Sequence, residues 1–250
     1  MLQIDFLGHA SFRFSHTKTG VTYLDPWLSG NPEATERLEN IRTARQVLVT
    51  HGHAEHLADA IPICLRTGAT LVATPEICAF AARQGLSYGR QARPLNLGGR
   101  LRDEDLEVIM VQAFHASGIQ GRAYAVDRLS EPDGGAVGYV LNFAQEATVY
   151  VSGDTNVFGD MRLIGELYAP EIAILPIGGK VTMGPLEAAK ALEMLRPAIA
   201  IPCHFDGTAG LLDEFRRRVA VASPRTRVVA LTPGEGHVHA NPAREQEAAS

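Results

Sequence analysis

Cysteine is scarce in this chain: Cys64, Cys78 and Cys203 are the only three among 250 residues. An odd, unevenly spaced set excludes a disulfide framework and fits a reducing compartment. Long apolar runs are missing as well. Nothing approaches the length of a membrane span, and Met1-Leu2-Gln3-Ile4-Asp5-Phe6 lacks the basic region and apolar segment of an export signal. The expectation is a cytoplasmic protein with no membrane attachment. Excess positive charge is also absent, since the net charge is −5, which offers no general attraction for nucleic acid or anionic lipid. The one basic run, Arg216-Arg217-Arg218, falls on the polar back of a helical pattern whose apolar positions are Leu211, Leu212, Phe215 and Val219. No short-period repeat is visible.

What is present suffices for a packed core: 46% of the residues are hydrophobic. A single domain is expected over 1–240, in two pseudo-halves of about 1–130 and 136–240, with a frayed tail over 241–250. Short β-rich runs open the chain at Gln3 to Phe6, Ser11 to Ser15 and Val21 to Leu24, and Val47-Leu48-Val49 adds another. A helical pattern from Leu57 to Arg66 stops at Gly68, a strand covers Thr70 to Ala73, and Pro75 opens a helix that stops at Gly85. Strands are expected again at Leu95 to Leu101, Leu106 to Ala113, Ala136 to Phe143 and Ala147 to Val151. Arg128 to Gly135, rich in proline, glycine and charge, reads as an exposed loop. Then come helix (Phe158 to Leu167), strand (Ile172 to Leu175), helix (Pro185 to Leu195), strand (Ile199 to Ile201), helix (Leu211 to Val219) and strand (Val228 to Leu231). Each half begins with strands and ends with alternating helices and strands. That order suits an α/β fold of two mixed sheets face to face, with helices outside.

The most informative stretch is His51-Gly52-His53-Ala54-Glu55-His56, directly after an apolar run ends at Thr50. Imidazole nitrogens and a carboxylate suit zinc, manganese or iron, and alternation along a chain leaving a strand aims His51 and His53 the same way. With nine histidines in the chain, three at these spacings arise by chance roughly once in a hundred such sequences. Three further potential ligands stand where apolar runs give way to loops: His115, Asp154 in Gly153-Asp154, and His204 after Cys203. Singly, each has an ordinary structural reading. Together with the cluster they make seven potential ligands, enough for two metals.

In combination these motifs resemble the metallo-β-lactamase superfamily, whose first motif is similar to Leu24-Asp25-Pro26-Trp27. Leu7-Gly8-His9-Ala10-Ser11-Phe12, Gly153 to Met161 and Leu175 to Pro185 look like its branch of ascorbate-phosphate lactonase and uncharacterised metal-dependent hydrolases. The resemblance implies a four-layer αββα sandwich with the metals between the sheet edges. It implies that His51, His53 and His115 hold one ion, that Glu55, His56 and His204 hold the other, and that Asp154 bridges them. Asp25 would orient a ligand histidine through its ring N–H. Glu55 departs from the pattern, which has aspartate at that position, and the extra methylene displaces the carboxylate.

Two divalent cations, zinc first and manganese or iron as alternatives, would make this a metal-dependent hydrolase of a small ester, lactone or phosphate ester. Catalytic roles are expected for Asp154, Glu55 and His9, the last as proton donor or anion contact. Lys180, in a glycine-rich loop, and Ser117, two residues after His115, are expected to touch a small, anionic substrate. Cys203 reads as a small core residue. Two other classes stay open: an iron-dependent redox enzyme on the same scaffold, and a binding protein that keeps metal for stability. No nucleic-acid or membrane partner is expected; a homo-oligomeric state stays open.

Overall fold

Two-residue periodicity builds the interior. In the computed structural model, which describes residues 1–103, 105–119, 131–144, 146–205 and 207–240, strands β1 (Leu2–Gly8), β2 (Ser11–His16), β3 (Gly20–Leu24), β4 (Gln46–Leu48), β5 (Thr70–Ala73) and β6 (Ala92–Pro94) lie side by side in that order. The second sheet runs in order from β7 (Arg100–Asp103) through β8 (Leu106–Gln112), β9 (Val137–Phe143), β10 (Ala147–Val151), β11 (Ile172–Pro176) and β12 (Ile199–Cys203) to β13 (Arg227–Val228). A last strand, β14 (Gly236–His239), returns to the first sheet and pairs antiparallel with β1, Leu2 opposite His239.

Alternate residues sort into three apolar layers. Leu106, Val108 and Met110 of β8, Ile172 and Ile174 of β11 and Leu48 of β4 meet Ile4, Phe12 and Phe14 between the sheets. Their neighbours point outward: Val47, Val49 and Leu71 pack beneath α2 (Ala60–Thr67) and α3 (Pro75–Arg83), through Ile63, Cys64, Ile77 and Cys78. On the other face Ile109, Ala173 and Leu175 meet α4 (Met161–Tyr168), α5 (Pro185–Leu195) and α6 (Leu211–Ala222), through Met161, Leu192 and Phe215. Side chains on opposite faces of one strand thus enter different layers. The result is the four-layer αββα sandwich of the metallo-β-lactamase fold. Cys203 lies in the central layer, the core position expected of it.

Helix boundaries follow local chemistry. Thr74 caps α3 by accepting from the Ile77 amide, with Pro75 in the first turn, and α2 ends at Gly68, whose φ of 78° suits glycine. The helix expected over Leu57 to Arg66 is instead split into α1 (Ala54–Leu57) and α2. The break is at Asp59, where the amide donates to Pro26 O and the carboxylate accepts from the Leu28 and Ser29 amides. The strand expected over Leu95 to Leu101 is largely a turn. Gly98 has φ of 76° and the Gly99 amide donates to Asn96 O. That turn carries the chain between sheets, earlier than the 130–136 region taken to divide the halves. The strand expected over Val228 to Leu231 is confined to Arg227–Val228, although Leu231 reaches the central layer. Of the loop expected from Arg128 to Gly135, residues 128–130 lie outside the described residues, as does the tail over 241–250. Glu131 is exposed but Asp133 is buried. No helix among the described residues is long and apolar enough to cross a membrane.

Candidate metal centre

Strand direction gathers the site. In the first sheet β1, β3 and β4 run the same way, because β2 is antiparallel to both of its neighbours and β3 is parallel to β4. In the second, β8, β10 and β12 also share a direction. The residues following the carboxyl ends of these six strands include His9, Asp25, His51, His115, Asp154 and His204. Parallel strands therefore deliver potential ligands distant in sequence to one edge of the sandwich. Three of them, His9, Asp25 and His204, hold left-handed backbone with φ of 56°, 44° and 51°. Strain of this kind persists only where surrounding contacts impose it, here including the His204 amide donating to His9 O at 2.8 Å. Gly178 is required beside them, since a Cβ there would sit 2.4 Å from His204 O.

The donors fall into three overlapping groups with ligand atoms mutually within 4.8 Å: His51, His53 and His115; His51, His56 and Asp154; and His9, His56 and His204. Asp154 lies among them, with Oδ2 3.2 Å from His204 Nε2, 3.4 Å from His56 Nε2 and 3.8 Å from His115 Nε2. Two donors held about 2.1 Å from one cation at a tetrahedral angle are about 3.4 Å apart, so these spacings suit ligands of a common ion. The Nε2 atoms of His51, His56 and His204 are buried and make no well-directed hydrogen bond among the described residues, though two of them lie close to Asp154. Such nitrogens are costly without a partner, and a divalent cation would satisfy them.

Asp25 sets the tautomers that make those nitrogens available. Its Oδ2 meets His56 Nδ1 at 2.8 Å and accepts from Thr50 Oγ1 at 2.6 Å, while Oδ1 accepts from the Thr50 amide at 2.8 Å. With the Thr50 hydroxyl proton directed at Asp25, Thr50 Oγ1 accepts from His51 Nδ1, 3.0 Å away. One buried carboxylate thus leaves the Nε2 lone pairs of both His51 and His56 facing the centre.

The electrostatics divide the histidines. Burial, reinforced by His56, pushes the His51 pKa well below its usual range, and burial also lowers His53 and His115. Burial opposes charge on His56 and His204 too, but Asp154 outweighs it, with Asp25 assisting at His56, and both pKa values rise. Asp154 is held well below the carboxylate range because His56 and His204 overcome its own desolvation.

The expected site residues are not all brought together. His51, His53, His56, His115, Asp154 and His204 converge, and Asp25 contacts His56 in the manner anticipated. Glu55 belongs to none of the three groups. It precedes His56 on α1, where one residue rotates a side chain by about 100°, so the buried His56 faces the centre while half-buried Glu55 lines an adjoining cavity. His9, expected as a proton donor, stands with His56 and His204, its ring centroid 3.9 Å from that of His204. Ser117 donates to Asp133 at 3.0 Å, so its hydroxyl is committed within the protein. Lys180 is exposed and lines neither cavity that meets His9. Those cavities flank His9: one of about 1030 Å³ along α1, α2 and α3, the other of about 380 Å³ beside His204, Glu33 and Asp213.

Asp133 is the positioning residue that sequence reasoning missed. It is buried and accepts from the Gly52 amide at 2.8 Å, Ser117 Oγ and the Gly135 amide, so it ties the His51-Gly52-His53 turn to the segment after His115. Its neighbours, Glu131-Pro132 and Gly134-Gly135, carry ordinary loop chemistry, and no local signal marks an aspartate that closes on a turn 81 residues away.

Known proteins align with this chain over nearly its whole length. A β-lactamase superfamily domain matches residues 22–205. A protein of Methanopyrus kandleri named as a UPF0173 metal-dependent hydrolase is 44% identical over 240 residues, covering 94% of this chain and 99% of its own. One of the same designation from Rubrobacter xylanophilus is 41% identical over 237 residues, covering 93% and 95%. Among solved structures, a metallo hydrolase from the archaeon Ignicoccus hospitalis superposes with a TM-score of 0.78 at 30% identity, covering 94% of this chain and 97% of the other.

Proposed function

This chain belongs to the UPF0173 metal-dependent hydrolases of the β-lactamase superfamily, and on that premise we propose that it hydrolyses a small ester, lactone or phosphate ester with two divalent cations, zinc foremost. The observation that carries the proposal is the convergence of histidine Nε2 atoms on Asp154 Oδ2 at 3.2 to 3.8 Å in a buried setting. His51, His53 and His115 would hold one ion and His9, His56 and His204 the other, with Asp154 between them. Kinship with ascorbate-phosphate lactonase belongs to the same proposal. Divalent cations bound there would supply Lewis acidity, lowering the pKa of water towards neutrality and polarising the oxygen of the carbonyl or phosphoryl group whose carbon or phosphorus is attacked.

The chain's own groups do the rest. Asp25 and Thr50 hold His56 and His51 in the tautomer that ligates. Glu55 and His9 exchange the roles expected of them: His9 completes a three-histidine set, which frees Glu55, in the wall of the large cavity, to pass a proton to the departing oxygen. No serine or cysteine nucleophile is needed. The test is metal analysis of protein purified without chelator, then ester, lactone and phosphodiester assays before and after metal removal. Two equivalents of metal per chain, activity lost on chelation and restored by a divalent ion, are expected. Full turnover by demonstrably metal-free protein would overturn the proposal.

A further inference from the structure

The cavity of about 1030 Å³ that meets the metal centre at His9 and Glu55 has an apolar wall made by Trp27, Leu57, Ile61, Leu65 and Phe80. Its size lies at the upper end for small-molecule sites. Among the described lining residues there is no lysine or arginine; the ionisable groups are His9, which stands with His56 and His204, and Glu55, which precedes His56 on α1. Leu65 is 52% exposed there, an apolar side chain left facing solvent on the outer wall of a groove. A mostly apolar groove, whose other polar side chains, Ser29 and Gln84, are uncharged and which offers no cation, does not fit the small anion expected from Lys180.

We propose that the groove holds the apolar acyl chain of an uncharged ester or lactone, with the scissile carbonyl at the His9 and Glu55 end. This rests on the hydrolase reading and names its substrate class. In the reaction the oxygen of water bonds to the carbonyl carbon, the bond from that carbon to the alkoxy oxygen breaks, and the water's proton ends on the departing alcohol. The products are the carboxylic acid and the alcohol, with no change of oxidation state. Each methylene the groove covers strengthens binding about threefold to fourfold.

The experiment uses metal-loaded protein and p-nitrophenyl esters from acetyl to dodecanoyl. kcat/KM should climb about threefold per methylene until the groove is filled, and Leu65→Glu should reduce the decanoyl-to-acetyl ratio at least tenfold. Trp27 is the only tryptophan in the chain, so its emission reports on the groove without any turnover. Titration with 1-decanol should shift that emission in the wild type, and Leu65→Glu should weaken the response tenfold or more. Acetyl ester hydrolysis with no chain-length dependence, and no response to decanol, would overturn the acyl-groove proposal and leave the hydrolase reading standing. Failure to turn over any ester or lactone, with decanol binding intact, would reject the hydrolase reading and keep an apolar-ligand groove. A wild-type dimer that Leu65→Glu makes monomeric, with emission indifferent to decanol, would assign the groove to a second copy and overturn the proposal.

Discussion

Replacing Asp25 with asparagine tests how the centre is organised, because this one carboxylate serves two ligand histidines. Asp25 is 1% exposed and receives three hydrogen bonds of 2.6 to 2.8 Å, two at Oδ2 and one at Oδ1. Asparagine offers one acceptor oxygen in place of two. Its best orientation puts that oxygen where Oδ2 stood and turns the NH₂ towards the Thr50 amide, leaving two donors face to face. A buried unsatisfied donor costs about 1–3 kcal/mol, so the metal-free protein should lose about that much stability. The charge that holds the His56 ring also disappears, and loss of such a partner weakens metal binding about ten- to a hundredfold, about 1.4–2.7 kcal/mol. Competition with a chromophoric chelator would measure the affinity and urea unfolding the stability. Thr50→Val serves as the comparison, since it removes the relay to His51 and spares the direct bond to His56. An Asp25→Asn protein that unfolds earlier but binds both ions within twofold of wild type would refute the argument and leave Asp25 a purely structural residue.

Three further outcomes are expected. His9→Ala should retain one metal equivalent per chain while Glu55→Gln retains two with reduced kcat, measured by elemental analysis and steady-state kinetics; loss of an ion in Glu55→Gln alone would return Glu55 to the ligand set. On acidification the ion of the His9, His56 and His204 group should leave first. The raised pKa values of His56 and His204 make protons compete there at higher pH, whereas His51, His53 and His115 stay neutral to lower pH. Metal retained after dialysis at stepped pH, compared with His9→Ala, would show it, and simultaneous release would contradict it. Asp133→Ala should destabilise the metal-free protein by about 3 kcal/mol through three lost hydrogen bonds and weaken the His51, His53 and His115 site at least tenfold. A cost below about 1 kcal/mol would show that the turn stands without it.

Local patterns made much of the fold legible. Short, nearly continuous apolar runs marked β8, β9 and β11, and Pro75 and Pro185 marked helix starts, because strand burial and capping geometry depend on residues near in sequence. β14 escaped because Gly236-His237-Val238-His239 has little apolar character. Its strand conformation comes from pairing with β1, where Leu2 lies opposite His239 and Asp5 opposite Gly236, partners more than 230 residues away in sequence. The break at Asp59 escaped for the same reason, since its cause is the distant amides of Leu28 and Ser29.

At the centre, sequence alone determined the donor types and their stations at strand ends: His51, His53, His56, His115, Asp154 and His204 were all named from it, with Asp25 behind them. Tertiary structure decided who stands beside whom. Glu55 and His56 are adjacent in the chain, yet a 100° turn of helix sends one to a cavity and the other into the cluster around Asp154. His9 and His204 are 195 residues apart, yet one backbone hydrogen bond places their rings together. Residue identity sets which chemistry a side chain can perform. Its direction and company depend on helix phase, strand order and packing between layers, which no local stretch of sequence contains.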